Sequence, residues 1–342
     1  MEEVVRATGA RVEMQPSVPI DLHLNTEDRG LYRAMPTKNA DWFSSRIGGG
    51  AVDLVAGPSR EVLSGSAATL DSALGALRAG AAVDRLARWI DLSSLIDLAC
   101  FDLYMGRADH DLNVRCWKPH DAEGRWRWLL YDVDLWSLPD ENSVERMSTM
   151  EADAAPYLSY LLAHPALRER LVHRMTALLN TVLSPDHAER TLDELVHVHR
   201  AALEHDHAIW HERMHHPGPE QALAEMRQRA HERPEHLLEA LAKELGMRRS
   251  QLDVRVDPPG TGAIYIDDLL ITEDHARMQV LAPLSVRLVA KPADGMELVG
   301  WEGVEEGESG NTVRIYGPLQ RVRAVFRPAA VSRRNGLQHA GE

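Results

Sequence analysis

The chain is poor in the residues that announce several common protein classes. Only Cys100 and Cys116 carry thiols in 342 residues, too few for a disulfide scaffold or a cysteine-based zinc site. One lies in an apolar helical run and the other in a strand-like run, so both read as buried, inert thiols. No stretch approaches the roughly 20 consecutive apolar residues that a membrane helix needs. The start, MEEVVRATGARVEMQ, has acids at positions 2 and 3 and no long apolar core. That argues against a secretory signal and makes a cytoplasmic location the expectation. Positive charge is scarce as well: 38 Lys and Arg face 52 Asp and Glu, a formal net charge of −14, so nonspecific binding to nucleic acid is not expected. An acidic chain can still hold phosphates when metal ions bring the positive charge. With 44% hydrophobic and 26% charged residues, what remains is an ordinary globular protein long enough for two domains.

Several elements are legible locally. VPIDLHLN and RGLYRAM alternate apolar residues around a polar TEDR turn, which predicts two strands. KNADWFSSRI starts a helix at Asn39, an N-cap type, and GGG at 48–50 ends it. AVDLVAG then reads as a strand, and SGSAATLDSALGALRAG as a helix beginning near Ser64 or Ser66. In IDLSSLIDLACFDLYMG, Asp91 is placed to cap a helix whose Leu92, Leu95, Ile96, Ala99 and Leu103 form one apolar stripe. Residues 144–246 are helical in pattern, whereas 251–327 hold short Val/Leu/Ile/Tyr runs separated by DPPGTG, KPADG and EEGESGN, as in a small antiparallel β domain. Trp301 fits the core of that domain. The expected domains are 1–249, 250–330 and a disordered tail at 331–342.

The chemistry concentrates in residues 107–136, RADHDLNVRCWKPHDAEGRWRWLLYDVDLW. NVRCWK and RWRWLLY are strand-like and PHDAEG is a hairpin-length turn, so folding the hairpin sets residue 113 opposite residue 131. Asn113 and Asp132 then meet at the open end, with Asp109 on the loop leaving the preceding helix. One Asn and two or three carboxylates at that mouth form an oxygen-rich site suited to hard divalent cations. Asp and Asn also occur at strand ends for local hydrogen bonding alone, and both readings are open on pattern alone. An Asp to accept a hydroxyl proton, an Asn a few residues on and an Asp after a hairpin are also the parts of a protein-kinase centre.

In their order, SSLIDLACFDLYMGRADHDLNVRCW and GRWRWLLYDVDLW resemble the CotH-type spore coat kinases, an atypical branch of the protein-kinase fold. LHLNTEDRGLYR, EVLSGSA, HPALRERLVHRMTALLNTVLSPDHAERTLDEL, AIW, RAHERPEHL and, in the β domain, VRLVAKPADGMELVGWEG extend the likeness over about residues 20–327. The resemblance implies an α+β chain. Residues 1–60 would be the remnant of a reduced small lobe, 61–249 a helical lobe holding the catalytic hairpin at 109–134, and a β-sandwich-like domain would follow. It implies Asp109 as catalytic base, Asn113 and Asp132 as ligands of a metal–nucleotide cofactor, and Asp134 as an accessory metal ligand. The implied cofactors are Mg²⁺ (or Mn²⁺) and ATP, and the implied partner is a protein or peptide substrate, modified most simply by Ser/Thr phosphorylation.

The chain departs from the family pattern in places. Only about 19 residues precede the LHLN strand, the acid of the GLY-x-x-x-E pattern is replaced by Pro36, and Ala56 stands where a phosphate-contacting Lys is expected. Lys38 and Arg33 are the nearby cations available to replace it. These losses keep two further readings open, a pseudokinase and a half-kinase completed by a companion chain. A separate motif, HERMH, places His211, Glu212 and His215 in the H-E-x-x-H order of zinc metalloproteases. It lacks the third His of the extended pattern, and Pro217 would break the helix just after it.

Overall fold

Polar caps and apolar stripes set the boundaries of most elements. In the computed structural model, which describes residues 1–149, 157–214, 218–304, 310–317 and 320–329, the chain divides into two compact units, Met1–Arg249 and Ser250–Glu342. The tail at 331–342 lies outside the described residues. In chain order, the first unit holds α1 (Glu2–Ala7), β1 (Glu13–Met14), β2 (Val18–Leu24), β3 (Glu27–Ala34), α2 (Ala40–Arg46), β4 (Val52–Ala56) and β5 (Glu61–Ser64). There follow α3 (Ala68–Arg78), α4 (Val83–Leu86), α5 (Leu92–Met105), β6 (Arg115–Pro119), β7 (Arg127–Leu130), α6 (Ser143–Thr149), α7 (Leu158–Ala163), α8 (Pro165–Leu179), α9 (Pro185–Met214) and α10 (Pro219–Glu244). The architecture is mixed, α+β, as the alternation of sequence patterns predicts.

Asn39 caps α2 by accepting the amide of Trp42 at 3.0 Å, and Asp91 caps α5 by accepting that of Ser94 at 3.2 Å. The predicted Ser66 start is displaced by two residues: Ser66 Oγ accepts the amide of Ala68 at 3.2 Å. α5 is buried on every side, which makes it the central helix of the unit; it packs against β7, α6, α8 and α10.

One five-stranded sheet, in the order β1-β7-β6-β4-β5, carries the site. It joins strands from the stretch before residue 60 to the hairpin after residue 109. β4 runs antiparallel to β6 with Val52 opposite Pro119, Leu54 opposite Trp117 and Ala56 opposite Arg115. Cross-strand partners project from the same face, so Val52, Leu54, Trp117, Leu129 and Tyr131 gather into one apolar cluster, closed by Phe43 of α2. Trp117, Trp126 and Trp128 are fully buried; each removes about 150–250 Å² from water, an upper bound of roughly 4–6 kcal/mol. Trp136 is half-buried.

β2 departs from expectation. Its alternating pattern predicts one buried face, yet Val18, Ile20 and Leu24 are exposed. β2 pairs only with β3 in a two-stranded sheet, and it is β3 that rests on α9. That contact explains Gly30. At φ +74° a Cβ on Gly30 would sit 2.4 Å from Asp206 Oδ1, while Asp206 accepts the amide of Leu31 at 2.8 Å and Trp210 donates to the carbonyl of Arg29 at 3.0 Å. The GLY and AIW segments are thus two sides of one joint.

Beyond α10 come β8 (Arg248–Asp257), β9 (Gly262–Ile266), β10 (Leu269–Ile271), β11 (His275–Ala282), β12 (Val286–Pro292), β13 (Met296–Glu302), β14 (Thr312–Ile315) and β15 (Gln320–Pro328). They form two four-stranded sheets, β10-β9-β12-β14 and β11-β8-β15-β13. The expectation of an antiparallel domain needs a correction: β8 and β15 pair in parallel, because the last strand returns beside the first strand in the same direction. Trp301 is half-buried, opposite Ala324. Among the described residues no helix is long and apolar enough to cross a membrane.

Candidate active site at the hairpin mouth

The β6–β7 register pairs Cys116 with Trp128 and Trp117 with Arg127; extended to the open end, it puts residue 113 in line with residue 131. Two short peptides therefore leave the sheet side by side, 106–114 and 131–137. They are bolted together: Ala108 donates its amide to the Leu135 carbonyl at 3.1 Å and Ser137 its amide to the Met105 carbonyl at 3.3 Å. Arg107 adds a side-chain strut, giving Nη1–H to the Tyr131 carbonyl at 2.8 Å from a fully buried ion pair with Asp102 at 3.0 Å. The pair is mutually supporting: burial pushes the Asp102 carboxyl up, and the charge of Arg107 opposes that push.

Gly106 makes this joint possible. It closes α5 in the left-handed region, and a Cβ there would lie 1.8 Å from Ser137 Oγ. Gly106→Ala is expected to destabilise the first unit by at least about 1 kcal/mol, read as a lower urea midpoint. An unchanged midpoint would show that the two peptides are not held by this contact.

On this frame Asn113 donates Nδ2–H to Asp109 Oδ2 at 2.5 Å, and its backbone amide reaches the Asp109 carbonyl at 3.0 Å. With the nitrogen committed, the amide oxygen of Asn113 is the atom left for a cation. Asp109 Oδ1 is buried without a hydrogen-bond partner, which fits an oxygen kept for a substrate proton or a cation. Asp132 is exposed and held at φ +56°, a conformation non-glycine residues adopt at some cost and which clusters at functional sites.

Tyr131 marks the convergence. Burial pushes its hydroxyl up, while it feels Arg115 and Arg107 on one side and Asp132 and Asp109 on the other. Lys38 Nζ stands 4.1 Å from its ring centroid and Arg115 Cζ 5.8 Å from it. Burial lowers the Lys38 ammonium first, Arg115 lowers it further, and the charge of Asp132 opposes both. Gln15 orients Lys38 with Oε1 at 3.3 Å from Nζ and is itself fixed through its amide to the Leu130 carbonyl at 3.0 Å.

Asp109, Asn113 and Asp132 thus share the hairpin mouth. Asp134 is exposed two residues on and lines a cavity with Val133, Trp136 and Glu225, Met226 and Arg229 of α10. Three acids around one point are not formed: among the described residues no group of three or more His, Cys, Asp or Glu side chains is placed to hold a metal, so a metal here would rely on Asn113 and two carboxylates. Arg33 lies elsewhere, bound to Ser17 Oγ at 2.9 Å and to Glu2 at 3.3 Å. In HERMH, His211 gives Nδ1–H to the His207 carbonyl at 2.9 Å, Glu212 is exposed, and His215 is outside the described residues. Cys100 and Cys116 are buried free thiols, and burial raises Cys116 to about 12. No motif in the sequence marks Arg107, Arg115 or Gln15, whose roles depend on pairings distant along the chain.

The first unit is a mixed α+β unit with an Asp–Asn pair at its hairpin mouth, and comparison with protein-family models narrows its class. Residues 21–237 match the family described as CotH kinase protein, well over half of the chain, and the chain belongs to that family. No curated protein matches it. The match ends within α10, so the second unit lies beyond it.

Proposed function

We propose that the chain is a nucleotide-dependent phosphotransferase acting on a hydroxyl of a protein or peptide. The observation that carries this reading is the Asp109–Asn113 pair at the mouth of the hairpin that delivers Asp132. Bound Mg²⁺ (or Mn²⁺) and ATP would supply the transferable phosphoryl group and the charge that neutralises it. Asn113 Oδ1 and the Asp132 carboxylate are hard oxygens suited to those ions, with Asp134 as an accessory carboxylate. Asp109 would take the proton of the acceptor hydroxyl as the new O–P bond forms and the bond to the leaving ADP breaks. Residues 1–60 serve as a reduced small lobe and 61–249 as the helical lobe.

The test is thermal. With ligand near 100 times its Kd, Mg²⁺–ATP should stabilise by about 2.7 kcal/mol, roughly 5–10 °C in Tm. The shift should vanish without Mg²⁺ and in Asp132→Ala. A shift of equal size in that variant would remove Asp132 from the ligand set. The mass of a modified peptide then distinguishes phosphoryl from adenylyl or glutamyl transfer.

One observation favours a second reading, a chain completed by a companion protein. The β2–β3 hairpin exposes Val18, Ile20, Leu24 and Tyr32, and Met35 just after it, a surface of the kind partners cover. On that reading the ATP-dependent shift appears only after the companion is added.

A further inference from the structure

The loss of a lysine at position 56 has a compensation that is visible only in the sheet. Ala56 and Arg115 are direct cross-strand partners in the antiparallel β4–β6 pair, so their side chains rise from the same face about 4.5–5.5 Å apart at Cβ. Any space that a long side chain at 56 would have used is open to Arg115. The guanidinium is held in place from one end only: Nη1 donates to the Lys38 carbonyl at 2.5 Å, and Nε is buried without a partner. The edge formed by Nε and Nη2 is therefore free of any protein acceptor among the described residues, and that edge is the two-donor fork that grips phosphate.

Lys38 stands beside it over the Tyr131 ring, turned by Gln15. Among the described residues neither cation forms an ion pair with a carboxylate. Two half-buried cations side by side repel each other and lose hydration, an arrangement an anion relieves. In a chain of net charge −14, where acids outnumber bases, two neighbouring cations with no carboxylate at ion-pair distance among the described residues are conspicuous.

We propose that Arg115, with Lys38 beside it, is the phosphate-binding cation pair of this chain, replacing the lysine that Ala56 does not supply. The ligand class is the polyphosphate of a nucleoside triphosphate held with its metal near Asp132. This rests on the nucleotide-dependent reading above and adds to it which residues grip the phosphates.

The test is calorimetric titration of the full chain with Mg²⁺–ATP, Mg²⁺–tripolyphosphate and adenosine. Arg115→Ala should weaken ATP and tripolyphosphate on the order of tenfold to a hundredfold and leave adenosine unchanged. Lys38→Ala should follow the same pattern with a smaller loss. Arg115→Lys keeps the charge without the fork and should fall between, guarding against a variant that fails to fold. Adding Ala56→Lys to Arg115→Ala should recover most of the lost affinity, because the new ammonium rises from the paired position. If the wild-type chain binds both phosphates and Arg115→Ala binds them as tightly, the inference fails and the phosphotransferase reading stands. If the wild-type chain binds neither with Mg²⁺ present, both fall together.

Discussion

Exchanging Asp109 for asparagine is expected to lower the rate of group transfer by roughly 10²–10⁴-fold while leaving the Mg²⁺–ATP shift in Tm in place. The substitution keeps size and shape. Its amide oxygen can still accept from Asn113 Nδ2, which lies 2.5 Å from Asp109 in the native chain, so the 106–114 peptide has no reason to move. What is lost is the basicity of Oδ1, the buried oxygen with no hydrogen-bond partner. Asp132→Ala gives the opposite pattern, loss of the ligand-induced shift along with the activity. The pair of variants therefore separates proton acceptance from cation binding. If Asp109→Asn retains full activity, the base lies elsewhere and the proposed role of the hairpin mouth is wrong.

How much of this centre a reader could extract from the sequence depends on the range of the interactions. The caps at Asn39 and Asp91 are local, each a side chain reaching an amide three residues on, and they were legible. The β6–β7 hairpin was legible for the same reason: its strands are neighbours in the chain, and a short turn fixes their register. The pairing of 52–56 with 115–119 bridges some sixty residues and leaves no periodic trace, so the facing of Ala56 and Arg115 was hidden. Read position by position, Ala56 offers no cation; read in the sheet, Arg115 is its neighbour one strand away. The two-residue strand β1 was equally invisible, and with it Gln15 and the orientation of Lys38. β2 misled for the converse reason. Alternation records a half-buried strand only when a second layer exists to cover it, and here the hairpin lies on α9 chiefly through β3.

Arg233→Met should be among the most destabilising single substitutions in the first unit, by about 3–5 kcal/mol. Arg233 lies within α10, directly before Pro234, and is 2% exposed. It donates to the carbonyls of Leu103 at 2.5 Å, Tyr104 at 2.7 Å, Glu141 at 2.6 Å and Pro139 at 3.0 Å, and to Ser143 Oγ. Leu103 and Tyr104 belong to the last turn of α5, where the helix itself supplies the carbonyls with few donors: Leu103 accepts the C-cap amide of Gly106 at 3.3 Å, and Tyr104 relies on Arg233. One guanidinium thus satisfies the end of the central helix and ties it to the loop that follows Asp134. Burial lowers the Arg233 pKa to about 10, against the pull of Glu141, so the group is still charged at neutral pH and all five donors are in use. Methionine fills most of the volume but strands the carbonyls of Tyr104 and Pro139, each costing about 1–3 kcal/mol where water cannot reach it, whereas Leu103 still accepts from Ser143 Oγ and Glu141 from the Ser143 amide; no longer burying a charge offsets part of the loss. Lysine, with one compact ammonium in place of a planar fork, should rescue only a fraction of the loss. Urea denaturation of the three proteins decides it. A loss below about 1 kcal/mol for Arg233→Met would mean that α5 and the Asp132–Glu141 segment are held by apolar packing alone. The geometry of the 106–114 and 131–137 peptides would then not depend on this clamp.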